Sequence, residues 1–355
     1  MSDRLKKFRV QIDALDDQLL QLFSERAALA QDVGKMKGSA VVYRPEREAQ
    51  VLRRLTENNP GPLSAKTIAH LFGELISACR AEEELLSVAC LGPKGTFSEE
   101  AVAKQFGAQA PAVMCASIDD VFRTVESGSV GYGVVPVENS TDGGVGRTMD
   151  LLLATPLKIC GEILLPVHQN ILGKVGALET IKRIYSHSQS LSQCNAWLTQ
   201  NMPNVERIPV ASNAEAARRA AGDDEAAAIA GRAAAEHYGL LILVAGIEDN
   251  PNNTTRFAVI AAQEVSASGK DKTSIVMSSQ NRPGAMFDLL KPFAVHKVSM
   301  TRLESRPSQA GLWEYVFFVD VEGHQNDTPV QAALSEIRQK AGFVKVLGSY
   351  PVDVV

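Results

Sequence analysis

The chain has 355 residues, 45% hydrophobic and 22% charged, with a formal net charge of −5. That length exceeds one ordinary core, so two or three soluble globular units are expected. No run of about eighteen apolar residues occurs, which excludes a membrane-spanning helix, and no basic stripe invites nucleic acid.

The acidic excess lies in the middle of the chain, residues 87–265. An anionic substrate there has to be bound locally rather than steered from afar. Cys79, Cys90, Cys115, Cys160 and Cys194 show neither a CxxC pair nor metal-ligand spacing. Free thiols, no metal site and a reducing cytoplasm are expected. The first residues lead straight into an amphipathic pattern, without a secretory apolar region.

Leu5, Phe8, Ile12, Leu15, Leu19, Leu22, Phe23, Leu29 and Val33 recur at three and four. That is a helical stripe. The helix is expected to run to Gly34, ~45 Å at the rise of an α-helix. Arg44-Pro45-Glu46 opens a second helix, with Pro in the first turn and acids beside it. It ends at Asn58-Asn59-Pro60. Ser64 is placed to cap a third, with Ile68, Leu71, Phe72, Leu75, Ile76 and Cys79 as its apolar positions. A unit so elongated buries its stripe by dimerising through the long helix.

Arg26 and Lys37 lie about three turns apart on one face of that helix. Arg9 stands ~26 Å along and ~100° around from Arg26. It therefore suits the site of an antiparallel partner. Periodicity alone also allows a merely solvated, charged surface. On the third helix, Glu83 lies within about 20° of the face through Phe72, while Glu82 and Glu84 turn away. Such an inward acid either pairs with Arg80 or Arg26, or serves a site as a proton donor.

Ser87–Leu91 reads as a strand. Gly92-Pro93-Lys94-Gly95-Thr96-Phe97-Ser98 follows, then a helix from Glu99. A glycine-rich turn of this kind suits an anion at the helix N-terminus, though the P-loop spacing is absent. The apolar run Val134–Val137 reads as the end of a buried strand. Glu138, Asn139, Ser140, Thr141, Asp142 and two glycines come next. In α/β folds, ligands sit beyond strand carboxyl ends; an ordinary polar turn is the other reading. Further strands are read at 157–163 and 184–185, and alanine-rich helices at 214–221 and 226–236. Asn252-Asn253-Thr254-Thr255-Arg256-Phe257 leads into a strand at 258–260. The alternation argues for an α/β unit. After a linker at 266–271, the order βαββαβ is ferredoxin-like.

The spaced set Arg9, Arg26, Lys37, Arg47 and Glu48 resembles the all-helical chorismate mutase family over residues 1–86. That family is an intertwined dimer. The resemblance implies a chorismate site of Arg9, Arg26, Lys37, Arg47, Glu48, Cys79 and Glu83. In it Arg26 and the partner's Arg9 hold carboxylates, Lys37 donates to the ether oxygen, and Glu48 takes the ring hydroxyl.

The pieces GPKGTFSEEA, VVPVENSTDG, SHSQSLSQC and TTRF resemble prephenate dehydratase over residues 87–265, with Ser188 where that family usually has proline. The resemblance implies two α/β lobes like those of periplasmic binding proteins, with prephenate in the cleft. Thr255 would be its catalytic residue, assigned to the departing hydroxyl. Thr96, Ser98, Glu138, Asn139 and Ser140 would line the site with Ser186, His187 and Gln193. Arg256 would bind a carboxylate or brace the loop, and Phe257 would pack beside it. No cofactor is implied.

Over residues 271–355, Arg282-Pro283-Gly284-Ala285-Met286 and Glu304-Ser305-Arg306-Pro307 resemble the two phenylalanine-binding motifs of ACT domains. The implied contacts are Asn281, Gly284, Ala285, Met286, Leu303, Glu304 and Ser305. The chain as a whole thus resembles a dimeric or larger two-activity enzyme that binds chorismate, prephenate and L-phenylalanine. A ligand sensor, or a helical unit that only dimerises, are the competing readings. The intact Thr255-Arg256-Phe257 and the full basic set weigh against them.

Overall fold

A computed structural model describes residues 2–37, 43–174, 178–279, 282–307 and 315–354. Helix α1 spans Ser2–Lys37, α2 Pro45–Glu57 and α3 Ala65–Glu83. Ser64 caps α3 as expected, its hydroxyl accepting from the Thr67 N–H. The long helix does not stop at Gly34. A Cβ there would sit 3.0 Å from the Glu83 side chain, so this glycine admits α3 rather than ending α1. Only the C-terminal half of α1 packs against α3, and even there Phe23, Leu29 and Val33 stay exposed. Leu5, Phe8, Ile12, Leu15, Leu19 and Leu22 remain about half exposed or more.

The first α/β lobe holds β1 (Val88–Leu91), α4 (Phe97–Phe106), β2 (Ala112–Cys115), α5 (Ile118–Glu126), β3 (Tyr132–Asn139), β4 (Gly143–Gly144), α6 (Gly146–Ala154) and β5 (Lys158–Pro166). The chain then crosses to a second lobe. This contains β6 (Asn170–Gly173), β7 (Arg183–His187), α7 (Ser188–Gln193), α8 (Asn195–Asn201), β8 (Glu206–Val210), α9 (Asn213–Ala220), β9 (Ala226–Ala230), α10 (Arg232–Tyr238) and β10 (Leu241–Val244). It returns through β11 (Thr254–Ala261), which completes the first sheet in the order β2-β1-β3-β11-β5. The second sheet runs β10-β6-β9-β7-β8.

The expected helix at 226–236 is a strand followed by a shorter helix. Ala226–Ala230 is wholly buried and pairs with β6 and β7 on either side. Alanine favours helix in isolation, but central pairing overrides that weak preference.

The last unit is β12 (Asp271–Ser278), α11 (Ala285–Val295), β13 (Met300–Pro307), β14 (Tyr315–Glu322), α12 (Thr328–Lys340) and β15 (Phe343–Pro351). Its sheet runs β13-β14-β12-β15, the ferredoxin-like arrangement. One face packs under α11 and α12. From the other face, Val276, Val316, Phe318, Leu347 and Tyr350 join the core of the first lobe. The segment read as a linker is pinned to the helical unit: Arg53 donates to the Ser268 carbonyl at 3.1 Å and the Lys270 carbonyl at 2.9 Å.

Candidate active sites

The helical unit encloses a cavity of about 420 Å³ between α1, α2 and α3. Arg26, Arg47, Glu48, Cys79 and Glu83 all line it. Arg9 does not. It is exposed on the uncovered half of α1. The side chain of Lys37 lies outside the described residues. Glu83 does not pair with Arg80 or Arg26: its Oε2 is buried and has no hydrogen-bond partner among the described residues. Arg80, unassigned from sequence, instead donates to Glu48 Oε1 at 2.5 Å. Burial pushes the Glu48 carboxyl above its ordinary range, and Arg80 opposes that rise.

Between the two α/β lobes lies a second cavity of about 250 Å³. Thr96, Ser98, Asn139, His187, Gln193, Thr255 and Phe257 line it. They come from both lobes because β3 ends and β11 begins at one side of the cleft, while β7 ends and α7 begins at the other. The Thr96 hydroxyl caps α4 by accepting from the Glu99 N–H.

Asn139 is held in one orientation. Its Oδ1 accepts from the N–H groups of Thr141 at 3.0 Å and Asp142 at 3.2 Å. Its Nδ2 must then donate, and does so to Asn253 Oδ1 and to Thr255 Oγ1, each at 2.9 Å. With its oxygen accepting, Thr255 keeps its own hydroxyl proton for another acceptor.

The network continues across the cleft. Asn253 donates to Gln193 Oε1 at 3.0 Å, and Gln193 and Gln189 donate to Asp142 Oδ2 at 2.7 and 2.5 Å. In the second lobe, Asn213 Oδ1 accepts from Ser186 Oγ and the His187 N–H, both at 3.0 Å. Ser186 is fully buried and orients Asn213 rather than lining the cavity. Gln169, Asn213 and Asn253 were missed in the sequence. Asn253 directly precedes the Thr254-Thr255-Arg256-Phe257 run, which was its available signal.

Besides Ser186, three expected prephenate contacts are corrected. Thr255 pairs in register with Asn139, and Arg256 with Glu138. Side chains alternate along a strand, so the first pair faces the cleft and the second faces the opposite way. Glu138 accepts from Arg302 Nε at 3.1 Å. Arg256 donates to Glu162 at 2.9 Å, to Asp320 at 2.5 Å and to the Tyr350 hydroxyl at 2.7 Å. Burial works against the Arg256 charge, but Tyr350, Asp320 and Glu162 outweigh it and hold the guanidinium protonated. Ser140 is exposed and braces the loop by accepting from the Thr254 N–H at 3.0 Å.

In the C-terminal unit, Gly284 caps α11 with φ 78°, a left-handed geometry suited to glycine. Ala285 and Met286 open the helix behind it. Asn281 lies outside the described residues. Strand β13 splits the rest of the expected set. Leu303 and Ser305 pair with Val319 and Phe317, on the face under α11 and α12. Glu304 pairs with Phe318 on the other face. It bonds Arg302 and lies so close to Gly144 that a Cβ there would be 2.5 Å from Glu304 Oε2.

Models of three families match the chain: chorismate mutase type II over residues 8–84, prephenate dehydratase over 88–265 and ACT domain over 273–339. The two cavities and the ferredoxin-like unit thus define a two-activity enzyme, isomerase and lyase, with an ACT domain. Similarity extends over the full length. The chain is 51% identical over 347 residues to the bifunctional chorismate mutase/prephenate dehydratase of Neisseria gonorrhoeae, covering 97% of this chain and 96% of that one. It is 49% identical over 362 residues to that of Stutzerimonas stutzeri, covering 100% and 99%. Among solved structures, prephenate dehydratase from Arthrobacter aurescens in complex with L-Phe matches with a TM-score of 0.70 and 33% identity, over 76% of this chain and 93% of that chain. The chain belongs to the bifunctional chorismate mutase/prephenate dehydratase family.

The Arg256 correction is testable. Arg256→Met leaves buried Asp320 without its cation and Glu162 with Lys272 alone, and is expected to destabilise the protein by about 3 kcal/mol or more, read in denaturant unfolding. Its KM for prephenate is expected to stay near wild type. An arginine that clamps a substrate carboxylate would instead raise KM by about 10- to 100-fold.

Proposed function

We propose that Arg26, Arg47, Glu48, Cys79 and Glu83 bind chorismate in the helical cavity, with Lys37 and with Arg9 of the partner subunit. The rearrangement is pericyclic: the ether C–O bond breaks as the C–C bond forms, with no covalent enzyme intermediate. The residues act by holding the reactive chair and by donating to the ether oxygen as charge grows there. Glu83 is a donor only when protonated, and its buried oxygen beside the cavity, without a partner among the described residues, supports that role. The exposed apolar stripe of α1 supports a dimer through this helix, which would bring Arg9 to the neighbouring cavity.

Prephenate occupies the cleft between the α/β lobes in this reading. Its ring carboxylate leaves as CO2, the electrons aromatise the ring, and the departing hydroxyl takes a proton to become water. The observation that carries the assignment is the bond from Asn139 Nδ2 to Thr255 Oγ1, which leaves the Thr255 proton to be given. The Asn139–Asn253–Gln193 network supports the threonine, a weak acid by itself. The substrate carboxylates fall to Thr96, Ser98, His187, Gln169 and Asn213. The buried, unpaired cysteines support a cytoplasmic setting.

Regulation follows from the third unit. L-phenylalanine is proposed to bind at Gly284, Ala285 and Met286 with Leu303 and Ser305, as its presence in the Arthrobacter structure supports. Its effect requires different affinity for two states. The reverse face of β13 offers the lever, because Arg302 grips Glu138, the neighbour of Asn139.

Three outcomes are expected. Thr255→Ala lowers dehydratase kcat by about 10²–10⁴-fold and leaves mutase turnover intact; parallel loss of both activities in a folded protein would refute the role. Arg9→Ala and Arg26→Ala each abolish mutase turnover. Mixed and allowed to exchange, they regain about a quarter of the sites; no recovery despite proven exchange means that each site is built within one chain. Arg302→Met retains phenylalanine binding by titration calorimetry but loses dehydratase inhibition. Unchanged inhibition in that variant removes Arg302 from the coupling.

A further inference from the structure

Arg80 is 6% exposed, deep at the junction of the helical unit and the first α/β lobe. Its guanidinium reaches both. Nη1 donates to Glu48 Oε1 at 2.5 Å, and Nη2 donates to the Phe106 carbonyl at 3.0 Å. Phe106 ends α4, where carbonyls lack intrahelical partners and carry the negative end of the helix dipole. The Tyr43 and Phe106 rings lie 5.1 and 5.5 Å from the guanidinium carbon.

Those rings are themselves fixed. Tyr43 belongs to the helical unit in sequence but sits fully buried in the core of the lobe. Its hydroxyl accepts from Gln105 Nε2 at 2.7 Å. Its ring meets Phe106 at 4.9 Å and Tyr132 at 5.1 Å. Dehydratase residues therefore hold Arg80, and Arg80 holds Glu48.

We propose that Arg80 is a positioning residue for the mutase reaction, fixing the Glu48 carboxylate in the chorismate cavity from an anchor on the dehydratase lobe. The inference rests on the reading of Glu48 as the acceptor of the ring hydroxyl.

An ionised carboxylate is the stronger acceptor. Burial is the largest influence on Glu48 and favours its neutral form; Arg80 opposes it most, Glu46 adds to the rise, and Arg26 of α1 opposes it. Arg44, which precedes α2, Arg47 of α2 and Glu83 of α3 share the cavity. A carboxylate raised in this way is lost as pH falls through its pKa, and deleting Arg80 moves that loss to higher pH.

The test is mutase kcat and KM from about pH 5 to 9 for full-length wild type, Arg80→Met, Arg80→Lys and Glu48→Gln, with prephenate turnover measured on the same samples. Arg80→Met is expected to lower mutase kcat/KM at least about tenfold at neutral pH and to move the acid limb up by about one unit or more. Arg80→Lys, which keeps the charge, is expected to restore most of the limb. Prephenate turnover is expected to stay within about twofold in both. A wild-type mutase profile in Arg80→Met overturns the proposal. So do parallel losses of both activities in Arg80→Met and Arg80→Lys, which mark a purely structural residue. A fully active Glu48→Gln sinks the Glu48 reading itself, whereas an impaired Glu48→Gln beside an unaffected Arg80→Met removes Arg80 alone.

Discussion

The antiparallel pairing of β3 with β11 sets the relation between chemistry and regulation. Successive residues on a strand face opposite ways. Asn139 and Thr255 are register partners on the cleft side; Glu138 and Arg256 are partners one step along on the other side. On that other side, Arg256 and Lys272 meet Glu162 and Asp320 in a nearly dry cluster closed by Tyr350 and Ser274. Two cations balance two carboxylates there. Desolvation of such a cluster offsets much of its attraction, so its worth lies less in net stability than in the cost of breaking it. Any shift of the ACT sheet against the lobe strains this cluster, which includes Arg256 of β11, the strand that carries Thr255.

The helical unit depends on a different constraint. Its α1 leaves a long apolar stripe uncovered along the N-terminal half. At roughly 25 cal/mol per Å² of apolar surface, that stripe carries several kcal/mol of unused burial. The covered half is set by Gly34, which lets Glu83 approach the helix backbone. One glycine thus leaves room for the close approach of α1 and α3 at Glu83.

Features governed by local periodicity were legible in the sequence. The amphipathic stripe of α1, the Ser64 cap and the inward turn of Glu83 each follow from helix geometry alone. Contacts between distant segments were less legible. Arg256 sits in a motif, yet the motif does not say which strand face the residue occupies; register with β3 decides that. Ala226–Ala230 reads as helix until its pairing with two neighbours is known. Arg80 lies in a plain run of helix, and its importance comes from Glu48 and Phe106, 32 and 26 residues away. Gln169 and Asn213 lie outside the four matched motifs and enter the cleft only through the crossing of the two lobes.

The two cavities are joined by one helix. Thr96 caps α4 at the edge of the cleft between the α/β lobes, and the carbonyl of Phe106 at its far end is gripped by Arg80 and Ser77. At 10 residues, α4 spans ~15 Å. A short packed helix held at both ends behaves as a strut: it fixes distances and gives neither site a second arrangement to adopt. Transmission of a signal requires an element with two discrete states. Strand β13 is better suited to that task. It is an edge strand, and its Arg302, Glu304 and Arg306 have several carboxylate or cation partners within reach, among them Glu138 and Asp150. Through Glu138 and Asp150 those pairings tie the edge strand to β3 and α6 of the first lobe. The fold therefore joins its helical unit to the first lobe through a short packed helix, and its ACT sheet to the same lobe through a set of adjacent ion pairs.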